Sequence, residues 1–233
     1  MAAAASGGLR AQFAEQGFVV LRGAIPAPLL SELRVAVRPL QAAQAAGKTE
    51  SPQRHQTCLE PAWFQHAFID FLNLEANNRA AAEIIGVDDP AELCGGASLL
   101  AVLLGHDEDH CLQWHRDHGE RGQTTAMWQR ASRFIQTNCA LYDDPSLWVV
   151  PGSHNRPSTA AEGHWAATHP SGKLPLPEHH ASLSGMPGSI NVPLQAGDCV
   201  LYNSLIWHAA SYLPAAVRPR ATFHSGWRHP DVP

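Results

Sequence analysis

An α+β fold is predicted, with helices first and many short strands after them. Two observations predict it. Apolar residues recur at helical spacing through about residue 97, and from Ser98 they gather into short apolar, β-branched runs separated by turn formers. Pro and Gly number 18 each in 233 residues, the abundance of a chain with many turns. Helices followed by a series of strands suit a helical flank on a β-sandwich or barrel. At this length the chain forms one domain with a sizeable core: residues 1–97 as the flank and 98–233 as the β core.

The elements follow in order. Leu9 to Gln16 predicts a short helix stopped by Gly17, a left-handed cap. Phe18-Val19-Val20-Leu21 is apolar and β-branched, a buried strand. Pro26 opens a helix that carries Leu29, Leu30, Leu33 and Val37 on one face, and Pro39 kinks or ends it. Gly47 to Gln56 is polar and reads as a loop. Phe64, Phe68, Phe71 and Leu72 continue the helical period to about Ile85. Strands are predicted over Ser98–Leu104, Phe134–Leu141, Leu147–Val150, Ile190–Leu194, Cys199–Leu201 and Arg220–Trp227. The stretch 155–188, with Pro, Gly and His throughout, reads as a long loop, and a loop of that length in a compact domain serves as a lid.

Composition excludes several classes. Hydrophobic residues are 45% and charged residues 16%, so the chain is not disordered. A net charge of -5 argues against nucleic acid as a partner, because phosphate binding needs a basic face. No run of eighteen apolar residues exists, so no membrane span is expected. The five cysteines are scattered without a CxxC, which suits reduced thiols in the cytoplasm. Nothing in the sequence fixes the oligomeric state.

The chemistry concentrates in a few residues. His115 and Asp117 stand two apart, and on an extended segment such residues share a face. His208 ends an apolar, strand-like run 93 residues downstream. Two histidines and one carboxylate on one side of a metal form the facial triad of non-haem Fe(II) oxygenases. A core histidine and a chance His-x-Asp are the plain alternatives. Arg220 enters the apolar run Ala221-Thr222-Phe223, where a cation is costly unless paired with a carboxylate. Arg218 shares its parity and competes for that part. Gln113 stands two residues before His115, and Asn138 is a polar residue on the predicted strand Phe134–Leu141. His154, in Pro-Gly-Ser-His, reads as a turn residue. His106 to His110 is a charge run that reads as a solvated loop rather than a second cation site. Trp128, Arg130, His164, Trp165 and His169 are candidates for a substrate mouth, with plain surface loop residues as the equal or better alternative.

Four segments in one order carry a resemblance. They are Phe13 to Gly23, Trp114-His115-Arg116-Asp117, Trp148-Val149-Val150-Pro151-Gly152-Ser153-His154, and Ala196-Gly197-Asp198-Cys199-Val200-Leu201. Together they resemble the phytanoyl-CoA dioxygenase family of Fe(II)/2-oxoglutarate-dependent oxygenases. The resemblance implies a double-stranded β-helix, a jelly-roll or cupin-like core with flanking N-terminal helices. It implies Fe(II) at His115, Asp117 and His208, and the far carboxylate of 2-oxoglutarate at Arg220. Gln113 and Asn138 are candidates for hydrogen bonds to 2-oxoglutarate, with local pairing as the equal alternative. The family often places a hydroxyl two residues after the distal histidine. Here Ala210 holds that place, and Ser211 follows as the candidate. The implied reaction uses O2 to oxidise a small molecule at an unactivated carbon, with hydroxylation as the default and release of succinate and CO2. Halogenation is disfavoured because family members that halogenate lack the carboxylate held here by Asp117. The rivals are a metal-binding jelly roll without activity and a hydrolytic zinc enzyme on the same triad.

Overall fold

The computed structural model describes residues 8–48, 54–56, 58–95, 100–105, 110–117, 134–169, 176–212 and 219–231. The flank begins with α1 (Leu9–Gln16), which Gly17 closes in the left-handed conformation at φ 82°. Directly beyond it comes β1 (Phe18–Leu21). The helices α2 (Ala27–Ala36) and α3 (Arg38–Ala45) meet at Val37, and Pro39 sits in the first turn of α3, where its missing N–H costs nothing. The helical period from Phe64 resolves into α4 (His66–Leu72) and α5 (Glu75–Ile85), separated at Asn73-Leu74. The polar stretch before them is not all loop: Arg54–Gln56 forms β2 and pairs with β4.

The remaining strands are β3 (Cys94–Gly95), β4 (Ala101–Leu104), β5 (His110–His115), β6 (Phe134–Ala140), β7 (Leu147–Val149), β8 (Ile190–Asn191), β9 (Cys199–Asn203), β10 (His208–Tyr212) and β11 (Ala221–Arg228). Among the described residues they make two antiparallel sheets. The larger has the order β1-β9-β6-β11-β4-β2, with β3 on β11, and the smaller has the order β5-β10-β7-β8. The run from Cys199 to His208 is therefore not one strand. Asn203 accepts the Leu205 N–H through its side chain at 2.9 Å, a side-chain turn that ends β9, and His208 opens β10.

Alternation along the strands sorts the core into layers. One face of the larger sheet carries Ile135, Cys139, Leu201 and Phe223 against α1 to α5. The other face carries Ala140, Val200 and Tyr202, which pack with Leu147, Val149 and Ile206 between the two sheets. The outward face of the smaller sheet carries Cys111, Trp114 and Ala209 under Leu183 and Met186.

That last layer corrects the expectation of a loop at 155–188. Its described parts contain α6 (Ala160–Thr168) and α7 (Leu176–Ser184). Thr159 and Glu162 form a reciprocal capping box at the start of α6. The carbonyl of Ser182 on α7 accepts from Trp114 Nε1 at 3.2 Å and from Trp165 Nε1 at 2.9 Å. Both helices are thus pinned to the outward face of β5 and β10, the face that His208 does not share.

The Gly197-Asp198 turn ties the flank to the core. Buried Asp198 accepts from the backbone N–H of Gly23 and of Gln195, each at 2.8 Å, and from Arg22 at 2.6 Å. Arg22 is exposed and contributes little. The two backbone donors matter more, because Asp198→Ala leaves both without a partner. We expect a loss of at least about 2 kcal/mol, a fall in Tm of about 4 °C or more, read by calorimetry. An unchanged Tm would show that water replaces the carboxylate.

Candidate metal centre

His115, Asp117 and His208 meet at one end of the smaller sheet. His208 pairs directly with His115 across β10 and β5. Two positions further along β10, Ala210 pairs with Leu112, so Gln113 and Trp114 together oppose Ala209. This bulge lets Trp114 point outward under α7 while His115 keeps to the inner side with His208. Asp117 lies just past β5, and its N–H donates to the Ser204 carbonyl at 3.0 Å, which ties it to the turn that leads into β10.

The three side chains offer ligand atoms that all lie within 4.8 Å of one another, a group that could hold a metal ion. The imidazole centroids are 4.2 Å apart. His115 Nε2 is 3.7 Å from Asp117 Oδ1, and His208 Nε2 is 3.5 Å from Asp117 Oδ2. Each histidine has the carbonyl two residues before it against its other nitrogen: Gln113 for His115 at 2.8 Å and Ile206 for His208 at 3.0 Å. A carbonyl only accepts, so each Nδ1 carries a proton, and in the neutral ring, the form that binds a metal, Nε2 keeps a lone pair facing its neighbours. That is how ligating histidines are oriented in metal sites.

The electrostatics set the two histidines apart. Burial pulls the His115 pKa down, but the hydrogen bond and charge of Asp117 and the Gln113 carbonyl outweigh it, so it lies above the usual value. Burial and the neighbouring His115 hold His208 down to about 4. Burial opposes ionisation of Asp117, yet both histidines and the Gln136 amide carry its pKa well below the usual carboxylate range.

The inner face of the larger sheet supplies the opposite wall. Gln136, Asn138, Tyr202, Thr222 and His224 share it, with Gln136 opposite Tyr202 and Asn138 opposite His224. Gln136 Nε2 donates to Asp117 Oδ2. Tyr202 lies with its ring 5.3 Å from that of His208. Gln136, Tyr202 and His224 were not singled out by sequence. Their one signal is the period-2 spacing of polar residues on β6 and β11, which becomes informative only once the strands are paired.

Arg220 immediately precedes β11 and is buried. Its Nε donates to Asp144 Oδ2 at 3.0 Å, and its Nη2 lies 3.5 Å from Ser146 Oγ. Asp144 also accepts from Thr222 Oγ1 at 3.0 Å and from the Ser146 N–H at 2.9 Å. Burial would raise the Asp144 pKa, but the Arg220 charge and these donors hold it below the usual range. The carboxylate partner that a buried Arg220 requires is thus present within the chain.

Of the other expected residues, Asn138 is buried on the inner face, and its Oδ1 has no hydrogen-bond partner among the described residues. Gln113 is exposed at the bulge, with its carbonyl on His115. Ser211 does not join the site. It pairs with Cys111 and alternates with Ala210, which puts it on the side of Ala209, away from His208. His154 sits buried in a short turn against Phe13, in keeping with a structural part. His164 and Trp165 lie on α6, and His169 follows it and stacks on Trp165. Of these, Trp165 packs into the outward layer. Trp128, Arg130, Arg218 and residues 106–109 lie outside the described residues. All five cysteines are free, and no helix of the described residues is long and apolar enough to cross a membrane.

Comparison with known proteins follows the same lines. AviO1 from Streptomyces viridochromogenes Tue57 superposes with a TM-score of 0.69 at 18% identity, covering 97% of this chain and 95% of that one. The epimerase SnoN, solved in complex with Fe3+, alpha ketoglutarate and nogalamycin RO, gives 0.64 at 19% identity, over 94% and 82%. The non-heme alpha ketoglutarate dependent carbocyclase SnoK gives 0.60 at 15% identity, over 96% and 84%. At these identities the likeness establishes a shared fold. No curated protein sequence matches the chain. Residues 105–212, the stretch that holds all three clustered side chains, match the family model described as phytanoyl-CoA dioxygenase (PhyH).

Proposed function

We propose that this protein is an Fe(II)/2-oxoglutarate-dependent dioxygenase that oxidises an unactivated carbon of a small molecule, with hydroxylation as the outcome. The observation that carries this reading is the donor set: two Nε2 lone pairs and one carboxylate, converging within 4.8 Å, with both Nδ1 atoms committed to backbone carbonyls. These donors fit Fe(II) bound on one side, with the opposite positions left to cosubstrate and O2. Iron, 2-oxoglutarate and O2 together supply an oxidant strong enough to take hydrogen from an unactivated carbon, and succinate and CO2 are released.

The chain's own residues bind and orient. His115, Asp117 and His208 hold the metal. Arg220 faces the far carboxylate of 2-oxoglutarate from the inner face, and Asp144 fixes the guanidinium by its Nε edge. Asn138, whose buried amide oxygen has no partner among the described residues, would offer the cosubstrate a hydrogen bond after an amide flip. The two sheets would form the double-stranded β-helix of the family, with the metal between them. SnoN and SnoK are described as an epimerase and a carbocyclase, so products of epimerisation and ring closure belong in the assay beside hydroxylated ones. We place the protein in the cytoplasm, in keeping with its free thiols.

One observation favours a second reading. Arg220 already has a carboxylate, Asp144, and a metal-binding scaffold without turnover would need nothing more. Succinate formation separates the two. Purified protein with Fe(II), 2-oxoglutarate and O2 is expected to form succinate above a metal-free control, and faster with a true substrate from a small-molecule panel. Stoichiometric Fe(II) binding with no succinate across the panel would favour the scaffold.

A further inference from the structure

On the reading of His115, Asp117 and His208 as metal ligands, we propose that Gln136 is the positioning residue of the Asp117 carboxylate, and that Tyr202 and His224 orient Gln136 in turn. Asp117 stands past the end of β5 and is about one-third exposed, with a single backbone tether to Ser204. A short side chain so placed has no strand pairing to fix it. The aim of its carboxylate must come from what touches it, and Gln136 Nε2 is the neutral side chain that does so.

The direction of every proton in this chain of contacts follows from the carboxylate. Ionised Asp117 only accepts, so Gln136 turns its amide nitrogen toward it. The amide oxygen then faces Tyr202, whose hydroxyl lies at 3.5 Å and must donate. With its hydrogen spent on Gln136, the Tyr202 oxygen accepts from His224 Nε2, also at 3.5 Å. Burial and the positive charges of Arg54 and Arg220 hold the His224 pKa down to about 3, and its contact with the Tyr202 oxygen puts the one hydrogen of the neutral ring on Nε2. The donors run one way: His224 to Tyr202, Tyr202 to Gln136, Gln136 to Asp117.

The strand register supports this order. Gln136 and Tyr202 are direct partners on β6 and β9, and His224 stands one inner-face position further along β11. Tyr202 is almost fully buried and packs its ring near His208. The relay therefore rests on the sheet and reaches the loose end of β5. Gln136 binds Oδ2 of Asp117, which favours Oδ1 as the metal ligand. Partners of this kind are worth 10–100-fold in metal affinity.

Metal-free protein titrated with Co(II) alone tests the relay, because affinity and visible bands report the ligand field without turnover. Wild type is expected to bind one Co(II). Gln136→Leu should weaken binding about 10–100-fold and shift the bands, since the carboxylate loses its tether. Tyr202→Phe keeps the ring beside His208 and should weaken binding in the same direction by less, with the Tm of the metal-free protein unchanged. Wild-type affinity and bands in Gln136→Leu would overturn the proposal while leaving the metal site standing. If Gln136→Leu does not fold, Tyr202→Phe decides, and unaltered Co(II) binding there overturns it. Absence of Co(II) binding in wild type would remove the metal site itself, and the positioning role with it.

Discussion

Asp117→Ala is expected to abolish turnover and to lower metal affinity at least a hundredfold, beyond the roughly 10–100-fold that outer partners of metal ligands cost. The variant keeps both Nε2 donors but loses the one anionic ligand, and the Gln136 amide loses its acceptor. A neutral pair of imidazoles is a poor site for Fe(II), which favours mixed nitrogen and oxygen ligands in this geometry. The fold should survive, because Asp117 is partly exposed and its backbone tether to Ser204 does not involve the side chain. Circular dichroism and Tm serve as the control. Wild-type turnover in Asp117→Ala would sink the ligand assignment.

The second large effect belongs to Arg220. A guanidinium facing a carboxylate in a shielded site is worth about 2–5 kcal/mol when truncated, or roughly 30-fold to several-thousand-fold in affinity. Arg220→Ala should therefore raise the apparent KM for 2-oxoglutarate steeply and leave Fe(II) binding nearly intact. The Asp144 pair adds a complication. Removing Arg220 strands a buried carboxylate, and breaking a buried pair costs about 3–5 kcal/mol of stability. Arg220→Ala combined with Asp144→Asn removes that charge and separates the effects. It should recover stability but not cosubstrate affinity. Arg220→Lys should recover only part of the affinity, since an ammonium cannot hold Asp144 through one edge and a ligand through another. Normal 2-oxoglutarate binding in the double variant, with a loss in Arg218→Ala instead, would move the anchor to Arg218.

The parts of the fold that were legible in the sequence are those set by local chemistry. Gly17 stops α1 because only a left-handed residue closes it there, and Pro39 separates α2 from α3 because it fits a first turn and not an interior. Most predicted strands fell where β-branched runs meet turn formers. The helices within 155–188 were missed because their Pro and Gly content read as loop. Two local signals were present: the Thr159–Glu162 capping box and Pro177 in the first turn of α7. The break between β9 and β10 was hidden because Leu205-Ile206-Trp207 is apolar even though Asn203 makes the turn.

The candidate site divides in the same way. His115, Asp117 and His208 could be picked out because their residue types and spacing stand within four ordered segments that resemble one family, whereas His-x-Asp or a lone histidine would not have sufficed. Ser211 was misplaced because the choice between it and Ala210 depends on strand parity, and parity shows only when β10 is paired. Asp144, Gln136 and His224 were invisible for a related reason. Each acts through a partner more than 18 residues away in sequence: Arg220, Asp117 and Tyr202.

Anaerobic titration of the Fe(II)-loaded protein with 2-oxoglutarate tests the central claim most directly. Bidentate binding of the 2-oxo acid to Fe(II) gives a metal-to-ligand charge-transfer band in the visible. The wild type should develop that band to saturation at one equivalent, Asp117→Ala should lose it, and Arg220→Ala should require a much higher concentration to reach it. A wild-type protein that binds Fe(II) at His115, Asp117 and His208 yet develops no band at any 2-oxoglutarate concentration would contradict the account.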